Sequence, residues 1–170
     1  RDAENMLMEM IFSDIDLLER RLARIQEGFK KAKVADRSDL KREQDLLVRI
    51  QGALNSGLAL RDQRLVSDEI RRISGFGFLS MKPLIVVLNI GEEQLGESDV
   101  LQQQLGDALT SEYVRPTVMC AQLEMELSQM DSQDEQEFRK ELGAIESSLH
   151  RMIRVSYDVV GQISFFTVGE

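Results

Sequence analysis

The chain has 170 residues, 42% hydrophobic and 30% charged, which is enough apolar material for a packed core and too much for a disordered tail. Its formal charge of −9 argues against a nucleic-acid clamp over the whole chain, though not against a local basic patch. One cysteine, Cys120, excludes an internal disulfide and a cysteine-rich zinc site, and no stretch approaches the roughly 18 to 20 apolar residues of a membrane helix. There is no signal-peptide pattern, and a reducing, cytoplasmic setting is expected. The first residue is Arg1 rather than Met, so the chain is expected to be a piece of something longer.

Residues 2–33 read as a helix. Leu7, Ile11, Ile15, Leu18, Leu22, Ile25 and Phe29 recur at intervals of four and three, the narrow seam of a coiled coil. A break is expected at 34–38, with Ser38 or Asp36 as the N-cap of a second helix over 39–55. That helix carries an apolar stripe of Leu40, Leu47, Ile50 and Leu54, with Gly57 as its stop. Two helices joined by a short polar connection fold back on each other, so residues 2–56 are expected to form an antiparallel coiled-coil hairpin. Arg20, Arg21, Arg24, Lys30, Lys31, Lys33, Arg37, Lys41 and Arg42 cluster at and near its tip. This local basicity could track an RNA backbone. Met6, Met8 and Met10 are expected to pack along the helix.

A shorter helix is expected over 62–74, starting near Ser67-Asp68-Glu69, burying Ile70 and Ile73 and ending at Gly75 and Gly77. The run Pro83-Leu84-Ile85-Val86-Val87-Leu88 has no polar interruption and reads as a strand buried on both faces, as in a parallel sheet. It ends in Asn89-Ile90-Gly91-Glu92, where open α/β sheets place their ligand loops. A helix over 98–109, capped by Ser98 or Asp99, leads to a second strand over 116–124, which makes a βαβ unit. An acidic helical region over 124–142 follows. Next come an amphipathic helix over 147–160, whose Leu149, Ile153, Val155, Tyr157 and Val160 supply apolar surface, and a strand over 162–170.

The two strand ends carry the chemistry. An Asn amide offers a donor and an acceptor along one edge, which suits N7 and N6 of adenine. Guanine-specific loops follow their Asn with a Lys whose stem packs on the base, and place an Asp three residues after the Asn. Here those positions hold Ile90 and Glu92. The second strand runs into Cys120-Ala121-Gln122-Leu123-Glu124, a relaxed version of the Ser-Ala-Lys turn whose amides approach the base in guanine-nucleotide proteins. No G-x-x-x-x-G-K-S/T loop occurs in the chain, so nothing in it cradles phosphates or holds Mg2+ in that manner. The acidic residues 131–137 lack the glycine and spacing of a calcium loop and read as a solvated face. His150 has no partner for metal or triad chemistry, and Cys120 reads as a small buried residue.

Taken together, these segments resemble the YchF, or Obg-like ATPase, family of Obg-related P-loop NTPases. The resemblance rests on Asp14 to Arg21 in the first helix, Lys82-Pro83 through Glu92, and Cys120-Ala121-Gln122-Leu123-Glu124, which departs from the family's C-A-K-x-E turn at Gln122. Residues 153–158 and 163–170 are similar to the approach to the family's C-terminal TGS domain. The resemblance implies an α/β fold: part of a G-domain-like parallel sheet with the helical hairpin inserted. The hairpin would be 2–56, the base-recognition half 57–161, and 162–170 the start of the connection to a TGS-like domain. It further implies that the whole protein hydrolyses ATP, and GTP less well, with Mg2+ held by residues absent here, and associates with ribosomes or translation factors. Asn89, Ile90, Glu92, Ala121 and Gln122 would line the adenine slot. The chain alone would then be inactive. The rival reading is a non-catalytic coiled-coil adaptor that binds RNA or ribosomes. Oligomeric state is left open.

Overall fold

The computed structural model describes residues 2–31, 33–109, 111–142 and 147–162, with only the backbone described for 34–36. The expected terminal strand over 162–170 falls almost wholly outside them. The chain divides into two compact units, Arg1–Lys82 and Pro83–Glu170.

The first unit is helical. Helix α1 spans Asp2–Lys31, with Asp2 and Glu4 in its first turn and Lys30 and Lys31 in its last, each sign suited to the helix dipole. Helix α2 spans Val34–Asn55. Gly28 of α1 faces Leu40 of α2, while Arg21 faces Glu43. The contacts climb one helix as they descend the other, so the two run antiparallel. The seam is buried at Ile11, Leu18 and Ile25 against Leu46, Leu47, Ile50 and Leu54. Alternate seam positions Ile15, Leu22 and Phe29 are partly covered. Met6 and Met8 are exposed, contrary to the packing expected of them, because they lie off that seam.

Helix α2 begins at residue 34, not 39, with Lys33 as an N-cap that makes no side-chain bond. Ser38 therefore lies inside the helix. The capping expectation fails because nothing between 34 and 38 breaks the helix, and cap-forming side chains act only where the chain already turns. Gly57 does end the helix, at φ 83°, where its N–H donates to the Leu54 carbonyl at 2.8 Å.

A 3-10 turn, Leu60–Asp62, and helix α3, Ser67–Ile73, follow. The Glu69 carboxylate accepts from the Val66 N–H at 3.1 Å, which closes the start of α3. Ile73 joins the core with Leu60 and Phe78, but Ile70 stays exposed: seven residues make a helix too short to bury both. Thus residues 57–82 pack on the same core as α1 and α2, and the expected boundary at 56/57 falls inside this unit.

The second unit is built on strands β1, Leu84–Asn89, and β2, Val114–Met119. They pair in parallel, with Leu84 opposite Val114 and Asn89 opposite Met119. Helix α4, Ser98–Ala108, is the crossover and packs on β2; a 3-10 stretch, Glu92–Glu97, leads directly into it, so neither Ser98 nor Asp99 serves as cap. The second strand stops at Met119, not 124. Ala121–Leu127 is helix α5, as its Ala, Gln, Leu, Glu and Met residues favour. The acidic region is two helices, α5 and α6, Ser132–Glu141, separated by a turn and restarted by Asp131, whose side chain accepts from Gln133 and Asp134 N–H at 3.0 Å. Helix α7, Ser148–Val159, is capped by Ser147 and packs on both strands. Leu149, Ile153, Tyr157 and Val160 nonetheless remain exposed. Strand β1 is only half-buried, and Val87 is exposed: among the described residues the sheet has two strands, which leaves one edge of each open.

Gln102 of α4 partly closes the open edge of β2. Its Nε2 donates to the Pro116 carbonyl at 2.8 Å and its Oε1 accepts from the Val118 N–H at 2.9 Å. One side-chain amide thereby copies the donor–acceptor pair a neighbouring strand would offer.

Candidate functional site

Parallel pairing in this register brings the two strand ends side by side. Asn89 is the last residue of β1, opposite Met119, and the chain after β2 turns at Cys120 into α5. The Asn89 Oδ1 accepts from the Ala121 N–H at 3.0 Å. Asn89 and Ala121 are both exposed, so a polar pair joins the strand ends at the surface. That bond fixes the orientation of the amide, and Asn89 keeps its Nδ2 donor and the second lone pair of Oδ1 for a ligand.

The other expected residues divide. Glu92 is exposed and opens the 3-10 stretch, which a bond from the Gly91 N–H to Gln94 Oε1 at 3.3 Å helps to hold. Gln122 is exposed on the first turn of α5, where its Nε2 donates to Glu126 Oε1 at 3.1 Å; its carbonyl is an acceptor. Ile90 differs. It is 6% exposed and packs with Val118, Cys120, Leu123 and Leu127. Its N–H continues the strand ladder to the Met119 carbonyl at 2.9 Å. The side chain after the Asn is therefore part of the core and anchors the loop from below. Cys120 is buried in the same cluster, and His150 is exposed on α7. Among the described residues no group of His, Cys, Asp or Glu is arranged to hold a metal ion.

Glu124, on the first turn of α5, is the electrostatic centre of this unit. Its carboxylate takes two bonds from the Arg139 guanidinium, at 3.1 and 2.8 Å, and one from the Ser148 N–H at 2.9 Å. Burial alone would push its pKa up; the Arg139 and Ser148 hydrogen bonds outweigh that and bring it from 4.5 to about 2. Arg139 also holds Glu135 at 2.9 Å and is raised above its ordinary value, chiefly by Glu124. One carboxylate thus ties α5, which starts at Ala121, to α6 and to the N-terminus of α7.

Three residues of consequence were missed from the sequence. Arg139 had a signal, since Glu135 and Arg139 stand four apart on one helix face. Asp14 had one too: it falls on the α1 seam between Ile11 and Leu18, where a carboxylate is out of place unless it is bonded. It is buried and accepts from the Leu79 and Ser80 N–H groups at 2.8 and 2.7 Å. Gln102 had none, because its role depends on which strand edge it meets.

Comparison with known proteins gives one consistent answer. No family model matches the chain. Proteins named Ribosome-binding ATPase YchF do: that of Haemophilus ducreyi is 29% identical over 168 residues, that of Bacillus subtilis 27% over 171 and that of Escherichia coli O157:H7 30% over 168. Each match covers 99% of this chain and 45 or 46% of the relative. A solved structure of the Schizosaccharomyces pombe YchF GTPase superposes with a TM-score of 0.82 at 20% identity, over 99% of this chain and 46% of that one. The resemblance is thereby matched along almost the whole sequence and by the fold: the chain is similar to YchF proteins over 99% of its residues and spans about half the length of the relatives it matches.

Proposed function

We propose that this chain supplies the base-recognition half of a nucleotide-binding P-loop NTPase that hydrolyses ATP in preference to GTP and associates with ribosomes. The observation that carries the reading is the bond from the Ala121 N–H to Asn89 Oδ1 at 3.0 Å. It fixes the Asn89 amide so that Nδ2 is left to donate to N7 of a purine. It also commits the backbone N–H that a 6-oxo group would need as a donor. The 6-amino group of adenine needs an acceptor instead, and Glu92 and Gln122 are exposed acceptors on the two flanking segments. In this reading Ile90, buried beneath the loop, lines the slot from the core side.

The residues present fit the base of a nucleotide. They do not fit Mg2+ or the phosphates: no phosphate-cradling motif occurs in the sequence, and the described residues contain no metal-ligand group. In this reading the phosphate and Mg2+ contacts come from parts of the whole protein outside this chain. The relatives' names support ribosome association and nucleotide hydrolysis for the whole protein.

In this reading 2–56 is the coiled-coil hairpin, 57–161 the base half and 162–170 the lead into a TGS-like domain, with 57–82 the part of the base half that packs on the hairpin's core. The hairpin is the element that meets ribosomal RNA or another ribosomal surface. Several of its cations are already paired, Lys30 with Glu27 and Lys41 with Asp45 among them, which tempers the local charge. Reversing Lys30, Lys31 and Lys33 together lowers ribosome association and flattens its salt dependence if the tip meets phosphates; binding that is unchanged in a sedimentation assay removes the hairpin from the contact. The base assignment is tested by Glu92→Asp, which restores the shorter acid of guanine-specific loops. The ratio of ATP to GTP affinity should fall, and a constant ratio takes Glu92 out of base selection.

A further inference from the structure

The acidic segment that the sequence presents as a plain solvated face is shaped. Met130, Asp134, Glu137, Phe138 and Glu141 line an open groove of about 350 Å3 at α6. Asp134, Glu137, Phe138 and Glu141 stand at i, i+3, i+4 and i+7, so they share one face of the helix. Met130 is 39% exposed and Phe138 43% exposed, large apolar groups with no cover among the described residues. Among the described residues no cation pairs with the carboxylates on that face. Arg139 is turned inward, 7% exposed, and is consumed by Glu124 and Glu135; Lys140 lies off the four-residue face.

We propose that this groove binds a basic peptide segment of a partner protein, with an apolar side chain seated between Met130 and Phe138 and lysines or arginines against Asp134, Glu137 and Glu141. Charge selects the occupant. A nucleic acid would bring phosphates to three carboxylates. A second copy of this chain would bring another −9. A basic, amphipathic segment matches both the apolar floor and the acidic rim, the pattern of a helix or extended peptide laid in a groove. The site is separate from the Asn89 loop and stands whether or not that loop binds a base.

The test is fluorescence anisotropy of the intact protein with a labelled peptide in which lysines and arginines flank a leucine and a phenylalanine. Binding that weakens with added salt is expected. Glu137→Lys with Glu141→Lys should cost about tenfold in affinity and flatten the salt dependence. Phe138→Ser should weaken binding while leaving the salt dependence intact. All three side chains are exposed, so thermal unfolding of the variants should match the parent, and the salt series on the unmodified protein needs no variant at all. Equal binding of a peptide with the charges reversed, indifference to Glu137 and Glu141, or self-association of the protein through Phe138 would overturn the proposal.

Discussion

Glu124 sits on the first turn of α5, just after β2, and its partners are on α6 and at the start of α7. Breaking a buried ion pair strands the remaining charge. Arg139→Met leaves Glu124 and Glu135 without their common cation and should cost about 3 kcal/mol in chemical denaturation. The same carboxylate gives a pH signature. Its pKa is lowered in the folded state to about 2 from 4.5, so its contribution is complete above 4.5 and disappears as the pH falls from there toward 2. Stability measured across that window should fall less steeply in Glu124→Gln than in the parent, from a lower starting value. Asp14 makes the matching case in the other unit. It is 1% exposed and accepts two backbone N–H groups; burial holds the nearby Arg61 guanidinium below its ordinary value, against the pull of Asp62 and Asp14. Asp14→Ala leaves two amides unmet and should cost about 3 kcal/mol; Asp14→Asn keeps one acceptor and should cost less.

At the scale of the element, the legible features were those set by local pattern. The α1 seam, the Gly57 stop, the two strands and the helix between them all follow from periodicity, turn residues and apolar runs in the sequence. What was not legible depended on contacts from elsewhere. Ser38 has the chemistry of a cap but sits inside α2, because nothing before it stops the helix. The burial of Ile90 was not legible either: the chain after β1 continues its ladder to Met119 for one more residue and turns that side chain inward. The β2 edge is the other such case. Gln102 satisfies the Pro116 carbonyl and the Val118 N–H, which a strand would otherwise meet. Gln102→Leu should destabilise the second unit by about 1 to 2 kcal/mol and speed hydrogen exchange at the Val118 amide. An unchanged exchange rate there would mean that the amide is protected by something other than Gln102.

For the whole molecule, two compact units share one chain: a helical one joined at Lys82 to a βαβ unit with the candidate base site at its strand ends. The likeness to YchF proteins was readable from several short segments, among them the two strand ends, where such folds place their ligand loops and where Asn89 and Ala121 follow in order. The division of labour inside the site was not readable. Sequence put Asn89, Ile90, Glu92, Ala121 and Gln122 on an equal footing, whereas the fold joins Asn89 to Ala121, buries Ile90 and leaves Glu92 and Gln122 exposed. The measurement that tests the central claim most directly is the affinity of the intact protein for ATP and for GTP, with Asn89→Ala beside the parent. The account predicts tighter binding of ATP and loss of that preference in the variant. Binding of neither nucleotide, or a variant indistinguishable from the parent, would contradict it.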